Sequence, residues 1–418
     1  MIKIITLNNW KSFRDAVLHI DPLTVLIGAN ASGKSNALDA LAFLNRISSG
    51  LSITSVLNGD ANISGIRGGL EWAPRKPESR FTLGVICSSS EESRTEYHYK
   101  IEVEIMGRSA LICSESLVRV KYRPKTDQSP YRVKLFSTDP CDQEAPSITA
   151  RLYNEKRGKP VPSARTSAVL YQLSTQMPRQ EIVEGIALVL TDLKNLFILD
   201  PIPSHMREVQ PLSDRLEADA SNVAGVLAAL PDQQKQKIES VLANYIQHIP
   251  ERDIHRVYAE KEGKFEDRAM LYCDESWGVG EEVQPVEAKG LSDGTLRFLA
   301  ILTALLTRPE GSLLVVEEID NGLHPSRSSH LLRMLKEVGG ERSIDLLLTT
   351  HNPALLDVMG TEIVPFVTVS HREVETGVSE LTLLEELETL PKLLALGTIG
   401  KLSSQGKIED ALREENHA

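Results

Sequence analysis

The sequence predicts an α/β fold, a mixed sheet flanked by helices, interrupted by a long insert that is antiparallel β first and helical afterwards. Three observations carry this. The apolar, β-branched run Leu23-Thr-Val-Leu-Ile27 feeds a glycine-bearing loop, and the strong helix former Ala37-Leu-Asp-Ala-Leu-Ala-Phe-Leu44 follows it. Far downstream, the apolar runs Leu313–Val316 and Asp345–Thr349 are buried-strand patterns set between helical ones. Between these ends, from Arg80 to about Arg151, strand-like segments are separated by turn residues.

Taken in order, Lys3–Thr6, Ala16–Ile20 and Leu23–Ile27 read as opening strands, with a turn over Asn8–Arg14. A helix runs from the loop to about Ile47. Ser48–Gly69, rich in Ser, Gly and Asn, reads as loop. Phe81–Cys87, Tyr97–Met106, Ala110–Tyr122 and Tyr131–Phe136 read as an antiparallel sheet, and Glu155–Ser163 as a linker or loop tip. Ile182, Ile186, Leu190, Leu193 and Phe197 repeat at helical spacing. Two short helices follow, Val223–Leu230 and Ile238–Ile246, parted at Pro231. Then come a helix (Thr295–Thr307), a strand (Leu313–Val316), a helix (Ser326–Val338), a strand (Asp345–Thr349) and a Leu/Glu-rich tail, Leu381–Ala418. The tail reads as an amphipathic helix, packed on its own subunit or docking a partner. The expected divisions are 1–75, 76–285, 286–360 and 361–418.

Composition excludes several classes. A 418-residue chain with 41% hydrophobic and 25% charged residues describes an ordinary globular protein of two or three lobes. No run reaches the ~18 apolar residues of a membrane span, and the opening Met-Ile-Lys-Ile-Ile-Thr is strand-like rather than a leader. Cys87, Cys113, Cys141 and Cys273 form no C-x-x-C pair, so neither a zinc site nor a disulfide framework is expected, and a cytoplasmic setting fits. The net charge of −12 does not advertise nucleic-acid binding. The basic stretch Arg119–Arg165 is the exception, with eleven Lys/Arg against five Asp/Glu. Arg119, Lys121 and Arg123 alternate and share a strand face. That face is either solvated or a docking surface for a phosphodiester or an acidic partner.

The loop itself, Gly28-Ala-Asn-Ala-Ser-Gly-Lys-Ser35, fits G-x-x-x-x-G-K-[ST]. Its glycines let the backbone turn several N–H groups toward one anion. Lys34 is placed to reach the β- and γ-phosphates, and the Ser35 hydroxyl to hold Mg²⁺. The helix that follows aims its positive end at the same phosphates. Gly28, Asn30, Ser32, Gly33, Lys34, Ser35 and Asn36 are the candidate ATP-binding residues.

A second half of the site lies downstream, too far from Ser35 for one βα crossover. Leu313-Leu-Val-Val-Glu-Glu318 is an apolar strand ending in two carboxylates, and ligands gather at the carboxyl ends of parallel strands. Glu317 is assigned to the metal and Glu318 to the base that activates water. Thr349-Thr-His351 closes the next strand, where a neutral imidazole is suited to the γ-phosphate or the attacking water. Ser292, with Gly290 and Gly294, opens an apolar helix with an N-terminus suited to an anion.

The order of these motifs (P-loop, Leu-Ser-Asp-Gly294, Glu-Glu, Asp320-Asn-Gly-Leu-His-Pro325, strand-end His351) resembles ABC-type ATPase heads of the SMC/RecF/OLD branch. Asn30, Asn36 and the Asp320–Pro325 run are similar to compact prokaryotic AAA ATPases related to OLD, many of which serve in anti-phage defence. The likeness covers about 1–75 and 285–360. It implies a head-to-tail homodimer or higher oligomer around two ATPs. Ser292, Asp293 and Gly294 would then act in trans on the partner's nucleotide, with Asp320 in the D-loop and His351 as switch histidine. It also implies a sensor or scaffold for a separately encoded effector, a nuclease or toxin. Two rivals are a nucleotide-gated scaffold with incidental hydrolysis and a RecF-like DNA-repair ATPase. The signature departs from Leu-Ser-Gly-Gly-Gln, Glu317 stands where Asp is commoner, and no Q-loop glutamine is placed, Ile63–Gly69 being the candidate stretch. No Glu plus Asp-x-Asp arrangement of a TOPRIM nuclease follows His351.

Overall fold

The computed structural model describes residues 1–61, 63–89, 94–122, 130–153, 158–176, 178–247, 254–276, 282–321 and 325–416. The chain opens with β1 (Ile2–Trp10), β2 (Phe13–His19) and β3 (Leu23–Ile27), then α1 (Lys34–Ser48), α2 (Ile53–Asn58) and α3 (Gly69–Trp72). Next come β4 (Arg80–Ser88), β5 (Thr95–Met106), β6 (Ser109–Lys121), β7 (Tyr131–Thr138), β8 (Ser147–Leu152) and β9 (Lys159–Ala164). Then follow α4 (Val169–Leu173), α5 (Gln180–Asn195), β10 (Leu196–Leu199), β11 (Gln210–Pro211), α6 (Val223–Ala229) and α7 (Asp232–Ile246). After β12 (Ile254–Glu262), β13 (Arg268–Glu275) and β14 (Gln284–Glu287) come α8 (Asp293–Thr307), β15 (Leu313–Val316), α9 (Pro325–Glu341) and β16 (Asp345–Thr349). The last elements are α10 (Pro353–Met359), β17 (Val367–Arg372), β18 (Ser379–Leu383), α11 (Leu390–Leu394), α12 (Ile399–Ser404) and α13 (Lys407–Asn416).

One 14-stranded sheet organises the molecule, in the order β10-β15-β16-β3-β17-β18-β2-β1-β4-β5-β6-β7-β8-β9. From β10 to β17 neighbours run parallel; β18 turns back on β17, and β2 through β9 form an antiparallel meander. The parallel strands are buried on both faces, as such strands must be. Their successive residues feed two cores: Val25, Leu314, Leu346 and Leu348 pack on the side of α8, α9 and α10, while Leu26, Leu313, Val315 and Leu347 pack toward α1 and α5. The meander buries only one face, with Leu83, Val85, Tyr99 and Ile101 inward, Ile86 and His98 half-buried and Lys100 exposed on the other face. A small second sheet, β11-β13-β12 with β14 beside β13, packs with α6 and α7 into the first core.

Several local expectations are corrected. The first turn is only Lys11–Ser12, because β1 and β2 pair to Trp10↔Phe13. Ser48–Gly69 holds α2, whose Ile53, Val56 and Leu57 are buried. Where Glu155–Ser163 reads as a linker or loop tip, Lys159–Ala164 is the edge strand β9, whose prolines an edge tolerates; residues 154–157 lie outside the described residues. Phe197 belongs to no helix: α5 stops at Asn195, and Leu196–Leu199 is a strand of the head's own sheet, paired with β15. The strands β4–β9 likewise extend that sheet from β1. The tail begins as β18 and ends in three short helices whose Leu390, Ile399, Leu402, Ile408 and Leu412 lie in the first core.

Arg119 is not on a solvated face. It is buried beside α5 and pairs with Glu181 at 3.2 Å. Arg165 is buried and donates to the carbonyls of Ile112, Asp142, Gln143 and Ala145, and Arg151 pairs with Asp139. Arg123 lies outside the described residues. Three cations of the basic stretch thus serve the fold, while Lys121, Arg132 and Lys159 are exposed.

Candidate nucleotide site

The loop from Gly28 to Gly33 lies between the end of β3 and the start of α1. Gly28 and Gly33 take φ values of 142° and 125°, which an L side chain rarely adopts. A Cβ on Gly28 would stand 2.0 Å from the Ser370 carbonyl oxygen, and one on Gly33 2.8 Å from Ser379 Oγ. The loop is therefore seated on β17 and β18. Ala31 also has a positive φ, 62°. Lys34 Nζ donates to the carbonyls of Gly28 (2.6 Å) and Ala29 (3.0 Å), so the ammonium is held over the loop. Burial lowers its pKa, against the pull of Glu318, Glu317 and Glu409.

Asn36 is held by two contacts to the β1–β2 turn. Its Nδ2 donates to Ser12 Oγ at 2.8 Å, and its carbonyl accepts from Trp10 Nε1 at 2.8 Å. Asn30 is exposed at the loop tip, while Ser32 is buried; together they line a 170 Å³ cavity with His371, Glu409 and Arg413.

The distant halves meet side chain to side chain at the mouth of the loop. Ser35 Oγ donates to Glu317 Oε1 at 2.7 Å. Mg²⁺ is bound by oxygen, through one or two carboxylates with substrate phosphates and water completing the shell, rather than by an all-protein cage. A hydroxyl and a carboxylate at the mouth of a phosphate loop fit that donor set. Among the described residues no cluster of three or more His, Cys, Asp or Glu offers a competing site.

Glu318 follows with φ 50°, uncommon for a non-glycine residue. Its N–H donates to Thr349 Oγ1 at 2.8 Å, and its Oε2 accepts from Asn321 Nδ2 at 3.2 Å. Ile319 N–H reaches the Thr349 carbonyl, and buried Asp320 accepts from Thr350 Oγ1 at 2.6 Å. The tip after β15 is thus laced to the end of β16. His351 stands exposed just beyond, and among the described residues its ring makes no hydrogen bond or ion pair. Residues 322–324 of the Asp320–Pro325 run lie outside the described residues.

Ser292 caps α8, accepting from Thr295 N–H at 3.2 Å. Asp293 pairs with Arg207 at 2.7 Å, and Gly294 is buried. Ser292 and Asp293 are exposed, and their bonds are local to this helix start and Arg207. Within one chain the structure joins Ser35, Glu317 and Lys34, with Glu318 in the same charge cluster, and leaves the α8 N-terminus to face outward.

Two residues of the site escaped sequence reasoning. Arg67, from the stretch proposed for a Q-loop, donates to Glu317 Oε1 (3.3 Å), Ser35 carbonyl (3.1 Å) and Asp39 (3.1 Å). Asp39 also pairs with Lys11, whose Nζ donates to the Arg67 carbonyl. A lone cation in a Gly-rich segment carries no local sign of the carboxylates it meets in the fold. Asp200 follows β10, which pairs with β15; burial raises its pKa, as do Glu317 and Glu318, against Arg297 and Arg67. It went unseen because β10 reads as the last turn of α5.

Strand, glycine loop, helix and an acid-tipped parallel strand on the far side of β16 make this the fold of an ABC-type P-loop ATPase head. The family profile described as "AAA domain, putative AbiEii toxin, Type IV TA system" matches residues 23–357, and the chain belongs to that family. Over 114 residues, 26% of this chain, it is 29% identical to the uncharacterized ABC transporter ATP-binding protein YejF of Escherichia coli K12, and spans 21% of that protein's length. Similar solved structures include an SMC head bound to the C-terminal winged-helix domain of ScpA (15% identity, 91% of this chain, 97% of that one, TM-score 0.49). The SMC head domain from Thermotoga maritima is another (14%, 91% and 98%, TM-score 0.41). No described helix is long and apolar enough to cross a membrane.

Proposed function

We propose that this protein hydrolyses ATP with Mg²⁺ and uses the cycle to close and reopen a head-to-tail pair of its own heads. The Ser35–Glu317 bond carries the reading, because a P-loop hydroxyl and a strand-end carboxylate 2.7 Å apart suit the oxygen donor set of one Mg²⁺. Mg²⁺, when bound there, neutralises charge on the β- and γ-phosphates. Lys34 adds a point charge to the same phosphates. Glu318, one residue beyond the metal carboxylate and steadied by Asn321 and Thr349, orients and deprotonates the attacking water. Ser292 and Asp293, exposed at the start of α8, would address the nucleotide of a second copy, with the buried Gly294 behind them in the same helix turn.

A head that closes and reopens with nucleotide is suited to act on a separate partner. The family's description names a toxin of a type IV toxin–antitoxin system. That supports a sensor or scaffold role for a separately encoded effector, a nuclease or toxin, in prokaryotic antiviral defence. The test is mass by light scattering of wild type and Glu318→Gln, with and without ATP–Mg²⁺. Nucleotide-dependent growth in mass that the variant traps is the expected result. A mass unchanged in every condition would reject the switching dimer, and wild-type turnover by Glu318→Gln would reject the base.

A further inference from the structure

We propose that the cavity between the tip of the P-loop and α13 receives the hydrogen phosphate released by ATP hydrolysis. The proposal rests on the hydrolysis reading above and adds a station for the product beside the place of cleavage.

One wall of the cavity is the loop itself, Ala29 to Ser32, and the other is the end of β17 with α13. Ala29 also supplies one of the two carbonyls that hold Lys34 Nζ, so the cavity adjoins the ammonium that reaches for the terminal phosphates. Ser35 and Glu317 are not among its lining residues, which separates it from that pair. Its 170 Å³ falls below the ~300–1,000 Å³ of pockets for drug-sized molecules and suits an inorganic ion.

The charges on its walls favour an anion. Arg372 and Arg413 line it against one carboxylate, Glu409. Arg413 pairs with Asp410 at 3.4 Å, but both are exposed, and such a contact is worth too little to keep the guanidinium from a ligand. His371 is buried on the β17 side, with Nε2 at 3.1 Å from Thr382 Oγ1. Burial lowers its pKa, so it adds no charge at neutral pH.

Two buried oxygens narrow the choice of anion. Ser32 is 4% exposed, and its Oγ has no hydrogen-bond partner among the described residues. Glu409 Oε2 is likewise buried and unpartnered among them. An ionised carboxylate only accepts, whereas a hydroxyl donates and accepts. A ligand that satisfies both oxygens carries a proton as well as negative oxygens. Hydrogen phosphate does: its P–OH donates to Glu409, and its other oxygens accept from Ser32, Arg372 and Arg413. Sulfate brings no proton at neutral pH and would set its lone pairs against the carboxylate. Hydrolysis on the loop makes the protonated anion next to this cavity. The water oxygen bonds the γ-phosphorus, and the bond to the bridging oxygen breaks with its electrons going to ADP. One water proton stays on the phosphate, and the other passes through Glu318 to solvent.

The experiment measures binding of inorganic phosphate and of sulfate by calorimetry at pH 8 in saturating ADP–Mg²⁺, to wild type, Arg413→Ala and Glu409→Gln. It also measures inhibition of ATP turnover by added phosphate. Wild type should bind phosphate at least about tenfold more tightly than sulfate, and Arg413→Ala should lose about tenfold for phosphate. Glu409→Gln, whose amide can donate, should bring the two anions within about twofold of each other. Added phosphate should inhibit wild type and should inhibit Arg413→Ala about tenfold less effectively. Equal affinity of wild type for the two anions overturns the proposal, as does discrimination that survives Glu409→Gln. Phosphate binding unchanged in Arg413→Ala also overturns it and puts the anion on the loop, where the γ-phosphate lies. Failure of the underlying reading looks different: wild type would release no phosphate from ATP, and the cavity would have no product to receive.

Discussion

The Ser35 hydroxyl donates to Glu317 Oε1 at 2.7 Å although 282 positions separate them in sequence. The contact exists because β3 and β15 both flank β16 in parallel, so their carboxyl ends open on the same side of the sheet. Removing either partner should remove the gain in ATP affinity that Mg²⁺ confers. Ser35→Ala and Glu317→Gln are each expected to lower Mg²⁺-dependent ATP binding on the order of ten- to hundredfold, while binding in EDTA stays near wild type. Titration of a fluorescent ATP analogue with and without Mg²⁺ checks this. A loss equally large in EDTA would move Glu317 from metal holder to structural support.

Gly28 faces the C-terminal strands rather than the ligand alone. Any Cβ there meets the Ser370 carbonyl at 2.0 Å, and φ 142° is strained for alanine as well. Backbone on both sides cannot yield as a flexible side chain would. Gly28→Ala should therefore distort the loop and reduce ATP binding by at least about tenfold, with far-UV circular dichroism unchanged. Near-normal affinity would show that β17 gives way easily.

The two halves of the site were legible because their chemistry is local. Gly28–Ser35 is a contiguous cradle, and Glu317-Glu318 caps an unmistakably apolar strand. The central strands β3, β15 and β16 begin and end where their apolar runs do. What stayed hidden depends on tertiary position. Leu196–Leu199 continues the apolar rhythm of α5, and only pairing with β15 makes it a strand and puts Asp200 in the site. Arg67 looks like any surface cation until the Asp39 carboxylate, buried in α1, holds it. Arg119 reads as part of a face that is either solvated or a docking surface, and Arg165 only as the end of a basic stretch, yet Glu181 and four carbonyls make them part of the fold. Alternation reports a face, not whether a helix covers it.

The C-terminal helix brings a negative charge to the phosphate loop. Glu409 on α13 lines the cavity under Asn30 and Ser32 and pulls on the Lys34 ammonium together with Glu317 and Glu318. The same charge opposes an incoming phosphate. Glu409→Gln should tighten ATP binding about two- to fivefold at low ionic strength, and the gain should shrink in high salt as the interaction is screened. Weaker binding by the variant would mean that Glu409 holds Lys34 in its working position.

Glu115 makes stability depend on pH away from the site. It is fully buried, and its carboxylate accepts from Tyr99 Oη (3.0 Å) and from the N–H groups of Val169 (2.7 Å) and Leu170 (2.6 Å). Burial outweighs these bonds and raises its pKa from 4.5 to about 7. Between those values the folded protein keeps a proton that the unfolded chain has released. Stability is then highest below pH 4.5 from this group, falls as pH rises, and levels above pH 7. From pH 5 to pH 7 the contribution lost is on the order of 2 kcal/mol. Glu115→Gln does not titrate, so although less stable at pH 5 it should lose correspondingly less on going to pH 7. Urea denaturation of both proteins at the two pH values measures the difference in slope. Parallel losses would place the Glu115 pKa near its ordinary value and its charge inside the core, compensated by the start of α4.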